Sequence, residues 1–325
     1  MANAYVLRNA VAKVLNRLLS PATAIENTDS FAGRVRAYSK PDFMCIGSQK
    51  AGTQWLYDQL VLHPDVWLPP VKELHFFDGR LSTSTCQDLQ EKMQTLEATN
   101  RRREEQLLRP LDRRDAHFLA HALSFNPDEL DFEWYRGLFD PAGEHITGDI
   151  TPDYSALPES TIKEITGFLP NLKIVFLVRD PVSRFWSALC MRRRRLARDG
   201  HDVDLQEPRE IHRFLKWDHL IRMSHPTEIL ARWSRYVDDA RLHVELFDDI
   251  QEQPNVVAAR IAAFLGLRPE GLRVPASFNR KANLEKVVMT PEIKEIIVSY
   301  FATELDRCVE LFGDRARAWR SRYLN

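Results

Sequence analysis

Eight residues, Gly47-Ser48-Gln49-Lys50-Ala51-Gly52-Thr53-Gln54, follow directly on the apolar run Phe43-Met44-Cys45-Ile46 and lead into an amphipathic stretch that begins Trp55-Leu56-Tyr57. A strand passing through a small-residue loop into a helix start is an anion cradle, because the first N–H groups of the helix have no intrahelical partner and face whatever lies before it. The position of the lysine narrows the anion. In a Walker A loop the lysine follows the second glycine as Gly-Lys-Ser/Thr, whereas here Lys50 precedes Gly52 and Thr53 follows it. That order argues against an ordinary ATPase or kinase. A second anion grip is spelled by Arg179-Asp180-Pro181, where an arginine ends an apolar run and offers a planar donor fork to a phosphate. Ser187, two turns into the helix that follows, can add a hydroxyl to the same anion.

Both grips need rigid elements behind them. Lys173-Ile174-Val175-Phe176-Leu177-Val178 is an unbroken, largely β-branched apolar run, which suits a strand buried on both faces of a parallel sheet. Asp180 is placed to cap a helix whose first residue is Pro181. Further elements are a loop helix over about Gln54 to Leu62, a strand over Leu242 to Phe247, and a helix from about Asn255 to Leu265. Thr290 to Leu311 reads as a capped amphipathic helix pair with Ile293, Ile296, Ile297, Tyr300, Phe301 and Leu305 on one face. Between Leu81 and Leu130 the chain turns highly charged and helical, the pattern of an inserted region that shapes the mouth of a cleft.

At 325 residues, with 44% hydrophobic and 28% charged residues, the chain suits one sizeable soluble α/β domain rather than a disordered or fibrous one. The expected organisation is an amphipathic arm over 1–38 and a domain over 39–325 that carries the 81–130 insertion. The arm holds Arg8, Lys13 and Arg17 and no acid in its first 25 residues, so it suits a membrane surface, an organelle address, or packing on its own domain or a partner subunit. A formal charge of −1 gives no reason to expect nucleic acid as a partner. No stretch approaches the ~20 apolar residues of a transmembrane segment. Cys45, Cys86, Cys190 and Cys308 are far apart and form no C-x-x-C pair, which points to a reducing, cytoplasmic setting and away from zinc or a disulfide framework. Without a metal-ligand cluster in the sequence, the positive charge of the site is expected from the protein itself.

The order Ser-x-Lys-x-Gly-Thr-x-Trp resembles the 5′-phosphosulfate loop of sulfotransferases that use 3′-phosphoadenosine 5′-phosphosulfate. Arg-Asp-Pro followed by Arg184 and Ser187 resembles their 3′-phosphate motif. Lys72-Glu73-Leu74-His75-Phe76-Phe77-Asp78 resembles the Glu-x-His-Phe-Phe segment of the heparan sulfate sulfotransferase group and its bacterial relatives. The resemblance implies an α/β fold with a P-loop-like central parallel sheet flanked by helices, and in-line transfer of a sulfuryl group to a hydroxyl or amine. It makes Glu73 the base, with His75 and Asp78 as supports of the acceptor site. Lys50 would stabilise the charge that builds on the departing phosphate. Ser48, Thr53 and the backbone of Gln49 and Ala51 to Gln54 would hold the 5′ phosphate, and Arg179 and Ser187 the 3′ phosphate. Phe278-Asn279-Arg280-Lys281-Ala282-Asn283 is similar to the donor-covering loop, so that Arg280 or Lys281 would reach the 3′ phosphate.

Two departures bear on the acceptor. In the animal glycan enzymes the position of Ile150 is commonly a lysine and that of Gln54 can be an arginine; both are uncharged here, which disfavours a highly anionic polysaccharide. The runs Arg101 to Arg103 and Arg192 to Arg195 could still offer basic surface to an anionic acceptor, but read first as solvated helix faces. The expected partner is a small-molecule or glycan acceptor, with oligomeric state left open. The rival readings are a P-loop kinase or NTPase, which would require magnesium and ATP, and a non-catalytic nucleotide-binding protein, which would leave Glu73 outside the cleft.

Overall fold

In the computed structural model, which describes residues 40–79, 96–106, 108–124, 131–275 and 287–324, four parallel strands form one sheet. These are β1 (Phe43–Gly47), β2 (Gly148–Ile150), β3 (Lys173–Val178) and β4 (Leu242–Leu246), arranged β2-β1-β3-β4. β1 and β3 are the inner pair, and all their residues are buried except the half-buried Lys173 at the start of β3. Because successive side chains leave a strand on opposite faces, Met44, Ile46, Ile174, Phe176 and Val178 enter one hydrophobic cluster, and Phe43, Cys45, Val175 and Leu177 enter another. Both faces being covered is why the sequence shows apolar runs and no alternation.

α1 (Thr53–Leu60) follows β1, and α2 (Leu96–Glu105), α3 (Arg113–Ala122) and α4 (Phe132–Gly137) precede β2. A 3-10 turn (Pro152–Ala156) and α5 (Glu159–Phe168) lead to β3, which runs into α6 (Pro181–Arg198). α7 (Pro208–Leu215), α8 (Asp218–Arg222) and α9 (Pro226–Trp233) come before β4, and α10 (Phe247–Glu252), α11 (Pro254–Leu265), α12 (Pro291–Phe312) and α13 (Asp314–Tyr323) after it.

The chain leaves β1 for β2 on one side and then crosses to β3 on the other. Such a reversal opens a crevice at the carboxyl ends of the strands, and the loop after β1 and Arg179 after β3 both stand there.

The expected helix pair over Thr290 to Leu311 is instead one helix of 22 residues, α12, with the Thr290 hydroxyl accepting from the Ile293 N–H at 3.4 Å. Ile293, Ile297, Phe301 and Leu305 are buried along it, whereas Tyr300 is exposed and off that face. The second helix, α13, begins only after Gly313, whose φ of +64° breaks the run. The described part of the inserted region is tied down by Arg109, which donates to both carboxylate oxygens of the fully buried Asp115 at 2.7 and 2.5 Å and lies over the Trp67 ring. The remainder of that region, and the amphipathic arm over 1–38, lie outside the described residues.

Candidate active site

The end of each strand contributes to one place. β1 ends at Gly47, whose φ is +138° and where a side chain would bring Cβ within 2.7 Å of the Pro152 carbonyl oxygen, so the backbone of the loop lies directly against the segment after β2. Ser48, Ala51 and Thr53 are buried, and Gln49, Lys50, Gly52 and Gln54 are half-buried. Gly52 (φ +104°) turns the chain into α1. Lys50 adopts φ +77° although it is not glycine, a conformation worth about 1–3 kcal/mol of strain that a fold retains only when its surroundings dictate it. Gln54 is not aimed at the loop; its amide donates to Asp58 one turn on, at 3.0 Å.

β3 delivers two arginines to the back of this loop. Arg179 donates from Nη1 to the Lys50 carbonyl at 2.9 Å and lies 4.6 Å over the Phe247 ring after β4. Arg184 donates to the Gln49 carbonyl at 3.2 Å, to the Leu220 carbonyl and to the Ser224 hydroxyl. It is 1% exposed, and burial pushes its guanidinium down to about 9, with Asp153 acting against that. A buried cation whose hydrogen-bond partners are all neutral favours an anion nearby, because its charge has lost its water. Asp180 caps α6 as expected, accepting from the Val182 and Ser183 N–H groups, and also from the Tyr323 hydroxyl of α13 at 2.5 Å. Ser187 is half-buried on α6, two turns beyond that cap.

β2 positions the third component. Asp149, buried at the middle of β2, accepts from the Thr151 hydroxyl at 2.6 Å and from the Tyr154 and Tyr135 hydroxyls at 2.9 and 3.0 Å. Two of those oxygens accept in turn from the loop that carries Glu73: Thr151 Oγ1 from the Leu74 N–H and the Tyr154 hydroxyl from the Phe76 N–H, both at 3.0 Å. Burial pushes the Asp149 carboxyl up to about 6, and the three hydroxyl donors restrain the rise. Phe76 is core, stacked on Tyr135. Asp149→Ala would strand three buried hydroxyls, each worth about 1–3 kcal/mol when unsatisfied. A stability loss of at least about 2 kcal/mol is therefore expected in denaturant unfolding with an unchanged slope.

Glu73 is three-quarters buried, with Lys72 Nζ at 3.3 Å and His75 Nε2 at 3.3 Å; His75 Nδ1 lies 2.7 Å from Asp78. Burial alone would raise the Glu73 carboxyl, yet the hydrogen bond from His75 and the charge of Lys72 hold it below its ordinary value. Burial likewise opposes the His75 proton, but bonds to Asp78 and Glu73 push the imidazole up to about 9. Glu73 is thus an ionised carboxylate at neutral pH, held by a cationic His75 whose φ of +58° is uncommon outside glycine. Folded His75 binds its proton more tightly than the unfolded chain, whose imidazole titrates near ~6.5. The stabilisation is full below that value and is lost as pH rises through about 9. A melting temperature that falls across that window, and falls less in His75→Gln, is the expected outcome of thermal scans.

A cavity of about 190 Å³ joins these parts, lined at one end by Gln49 of the loop with Glu73, His75, Asp153 and His219. His219 at the start of α8 lies 2.7 Å from Asp153. The other wall comes from α6, the α7–α8 turn and α8, with Ala188, Met191, Arg192, Arg195, Trp217, Leu220 and Met223. Arg192 and Arg195, read from the sequence as part of a solvated face, line the cavity because residues three and four apart share one helix face. Arg101 and Arg102 are exposed as expected, while Arg103 is half-buried and bonds the Arg109 carbonyl at 2.8 Å.

Structure also brings Glu73, His75 and Asp153 together with ligand atoms within 4.8 Å of one another, a grouping that could hold a cation and that sequence spacing did not reveal. His75, placed between Glu73 and Asp78, fills that electrostatic role as an imidazolium. Asp149, Asp153, Arg184 and His219 were given no role by sequence reasoning. Arg280 and Lys281 lie outside the described residues.

Among solved structures, a sulfotransferase from Alicyclobacillus acidocaldarius superposes with a TM-score of 0.58 at 22% identity, covering 87% of this chain and 100% of that one. The sulfotransferase domain of the Synechococcus PCC 7002 olefin synthase matches with a TM-score of 0.49 at 17% identity, over 87% and 98% of the two chains. No curated protein sequence matches. The first of these shares the parallel sheet and flanking helices described above. The model of the sulfotransferase family matches residues 41–270, a span that holds the loop after β1, Glu73, the Asp149 network, Arg179 and the cavity wall, and the chain belongs to that family.

Proposed function

We propose that this sulfotransferase uses 3′-phosphoadenosine 5′-phosphosulfate as donor and transfers its sulfuryl group in line to an acceptor hydroxyl or amine, with Glu73 as base. One observation carries the reading: Arg179 at the end of β3 touches the Lys50 carbonyl of the loop after β1, while Gln49 of that loop shares a cavity with Glu73. The 5′ phosphate sits on the amides of Ala51 to Gln54 and the hydroxyls of Ser48 and Thr53. Arg179 and Ser187 take the 3′ phosphate. Arg184 supplies fixed positive charge behind the loop, where a water-poor site makes it effective.

The acceptor enters the cavity and presents its proton to the Glu73 carboxylate. The sulfur moves from the bridging oxygen of the donor to the acceptor oxygen or nitrogen, and the pair of electrons left on that bridging oxygen is stabilised by Lys50. No protein-bound metal is needed in this scheme, since His75 and the arginines bring the charge. Cytoplasmic residence belongs to the same proposal and rests on three buried free cysteines, Cys45, Cys190 and Cys308, and on the lack, among the described residues, of a helix able to cross a membrane.

Calorimetric titration tests the donor assignment: 3′-phosphoadenosine 5′-phosphate should bind without magnesium and ATP only weakly. Tight magnesium-dependent ATP binding would refute it.

A further inference from the structure

The far wall of the Glu73 cavity has a charge and a shape that the transfer chemistry does not use. Ala188, Met191, Arg192 and Arg195 follow one another at helical spacing along the cavity-facing side of α6. Arg184 on the same helix bonds the loop. Arg192 and Arg195 stand eight and eleven residues further along, about 12 and 16 Å along the axis at ~1.5 Å per residue. They therefore lie at the end of the cavity remote from the loop. Facing them is Trp217, in the turn before α8, a large ring left 40% exposed. The Arg192 guanidinium lies 5.3 Å over that ring. Among the described residues no carboxylate lies within ion-pair distance of Arg192 or Arg195.

The charged groups of the cavity are therefore unevenly placed. Glu73 and Asp153, with the cationic His75 and with His219 against them, occupy the near end, and two arginines that have no carboxylate partner among the described residues occupy the far end. An acceptor with an anionic group would be repelled by the carboxylates and drawn to the arginines, which leaves its neutral hydroxyl or amine at Glu73. The planar guanidinium on an aromatic face suits a flat ring or a short apolar segment between those two ends. A volume of about 190 Å³ has room for a small group at this place.

We propose that Arg192, Arg195 and Trp217 form an acceptor subsite that selects small acceptors carrying an anionic group, carboxylate or sulfonate, at the end opposite the hydroxyl or amine to be sulfated. The proposal rests on the sulfotransferase reading above, and its test separates the two. Matched phenols serve as probes: para-hydroxyphenylacetate, its methyl ester, tyramine and para-hydroxybenzenesulfonate. Each is titrated by calorimetry into full-length protein saturated with 3′-phosphoadenosine 5′-phosphate.

At least one of the two anions is expected to bind about 10-fold or more tightly than the ester, the scale of a charge-assisted contact, and tyramine least tightly. If both anions bind tightly, the subsite reads charge alone; if one does, that anion is its chemistry. Arg192→Gln/Arg195→Gln should erase the preference for anion over ester while leaving affinity for 3′-phosphoadenosine 5′-phosphate unchanged. The double lysine variant should restore part of it, which a merely structural role would not predict. Equal binding of ester and anions, no binding of either anion, or a preference that survives the double glutamine change overturns the subsite. Failure of 3′-phosphoadenosine 5′-phosphate to bind would overturn the donor assignment instead. The comparison of acid with ester, repeated on nucleotide-free protein, would then still decide whether this surface holds an anion.

Discussion

Glu73→Gln is expected to bind 3′-phosphoadenosine 5′-phosphate as the wild type does and to turn over ~10²–10⁴-fold more slowly, the usual worth of a positioned base. Glutamine keeps the size of the side chain and can still accept from His75 through its amide oxygen, so the fold of the loop over 72–78 should persist. It cannot take a proton. Glu73 lines the cavity and is no part of the loop after β1, which is why donor affinity should hold. Steady-state rates with a responsive acceptor, measured beside calorimetry, check both halves. Unchanged turnover would remove Glu73 from the base role, and a parallel loss of donor binding would move it into the donor site.

Lys50 carries the second large effect. A fixed ammonium at the departing phosphate acts on charge that develops only in the transition state, and removing one such donor costs ~10²–10³ in turnover. The backbone offers a control that separates this from folding. Lys50 holds φ +77°, which glycine adopts without penalty and other residues do not. Lys50→Gly is therefore expected to match or exceed the wild type in melting temperature while losing that factor in rate, whereas Lys50→Ala should lose the rate without the gain. A Lys50→Gly protein that melts early and retains its rate would show the residue to be structural.

Local patterns made the frame of this site legible. The apolar runs of β1 and β3, the small-residue loop between β1 and α1, and Asp180 as the cap of α6 all follow from spacing within a dozen residues, and the structure carries each of them. What escaped reading depends on contacts between distant segments. Asp149 reaches the Glu73 loop through Thr151 and Tyr154, which bond residues 77 and 78 positions away. His219 meets Asp153 across 66 positions. Arg184 stood in the quoted motif without a role, because only the fold reveals that it is buried against the loop.

The run Arg192 to Arg195 carries its own signal. Counted at 3.6 residues per turn, Ala188, Met191, Arg192 and Arg195 share one face, so the stretch divides into a cavity side and an outer side. Thr290 to Leu311 failed for the opposite reason: one long helix and two short ones have the same apolar period, and the break falls at Gly313, beyond the stretch considered.

The most direct measurement is a crystal structure of the protein soaked with 3′-phosphoadenosine 5′-phosphate. The account predicts the 5′ phosphate on the amides of Ala51 to Gln54 and the 3′ phosphate on Arg179 and Ser187, with the cavity beside Glu73 still open to an acceptor. Density for the nucleotide at any other place, or a 5′ phosphate turned away from that cavity, would contradict it.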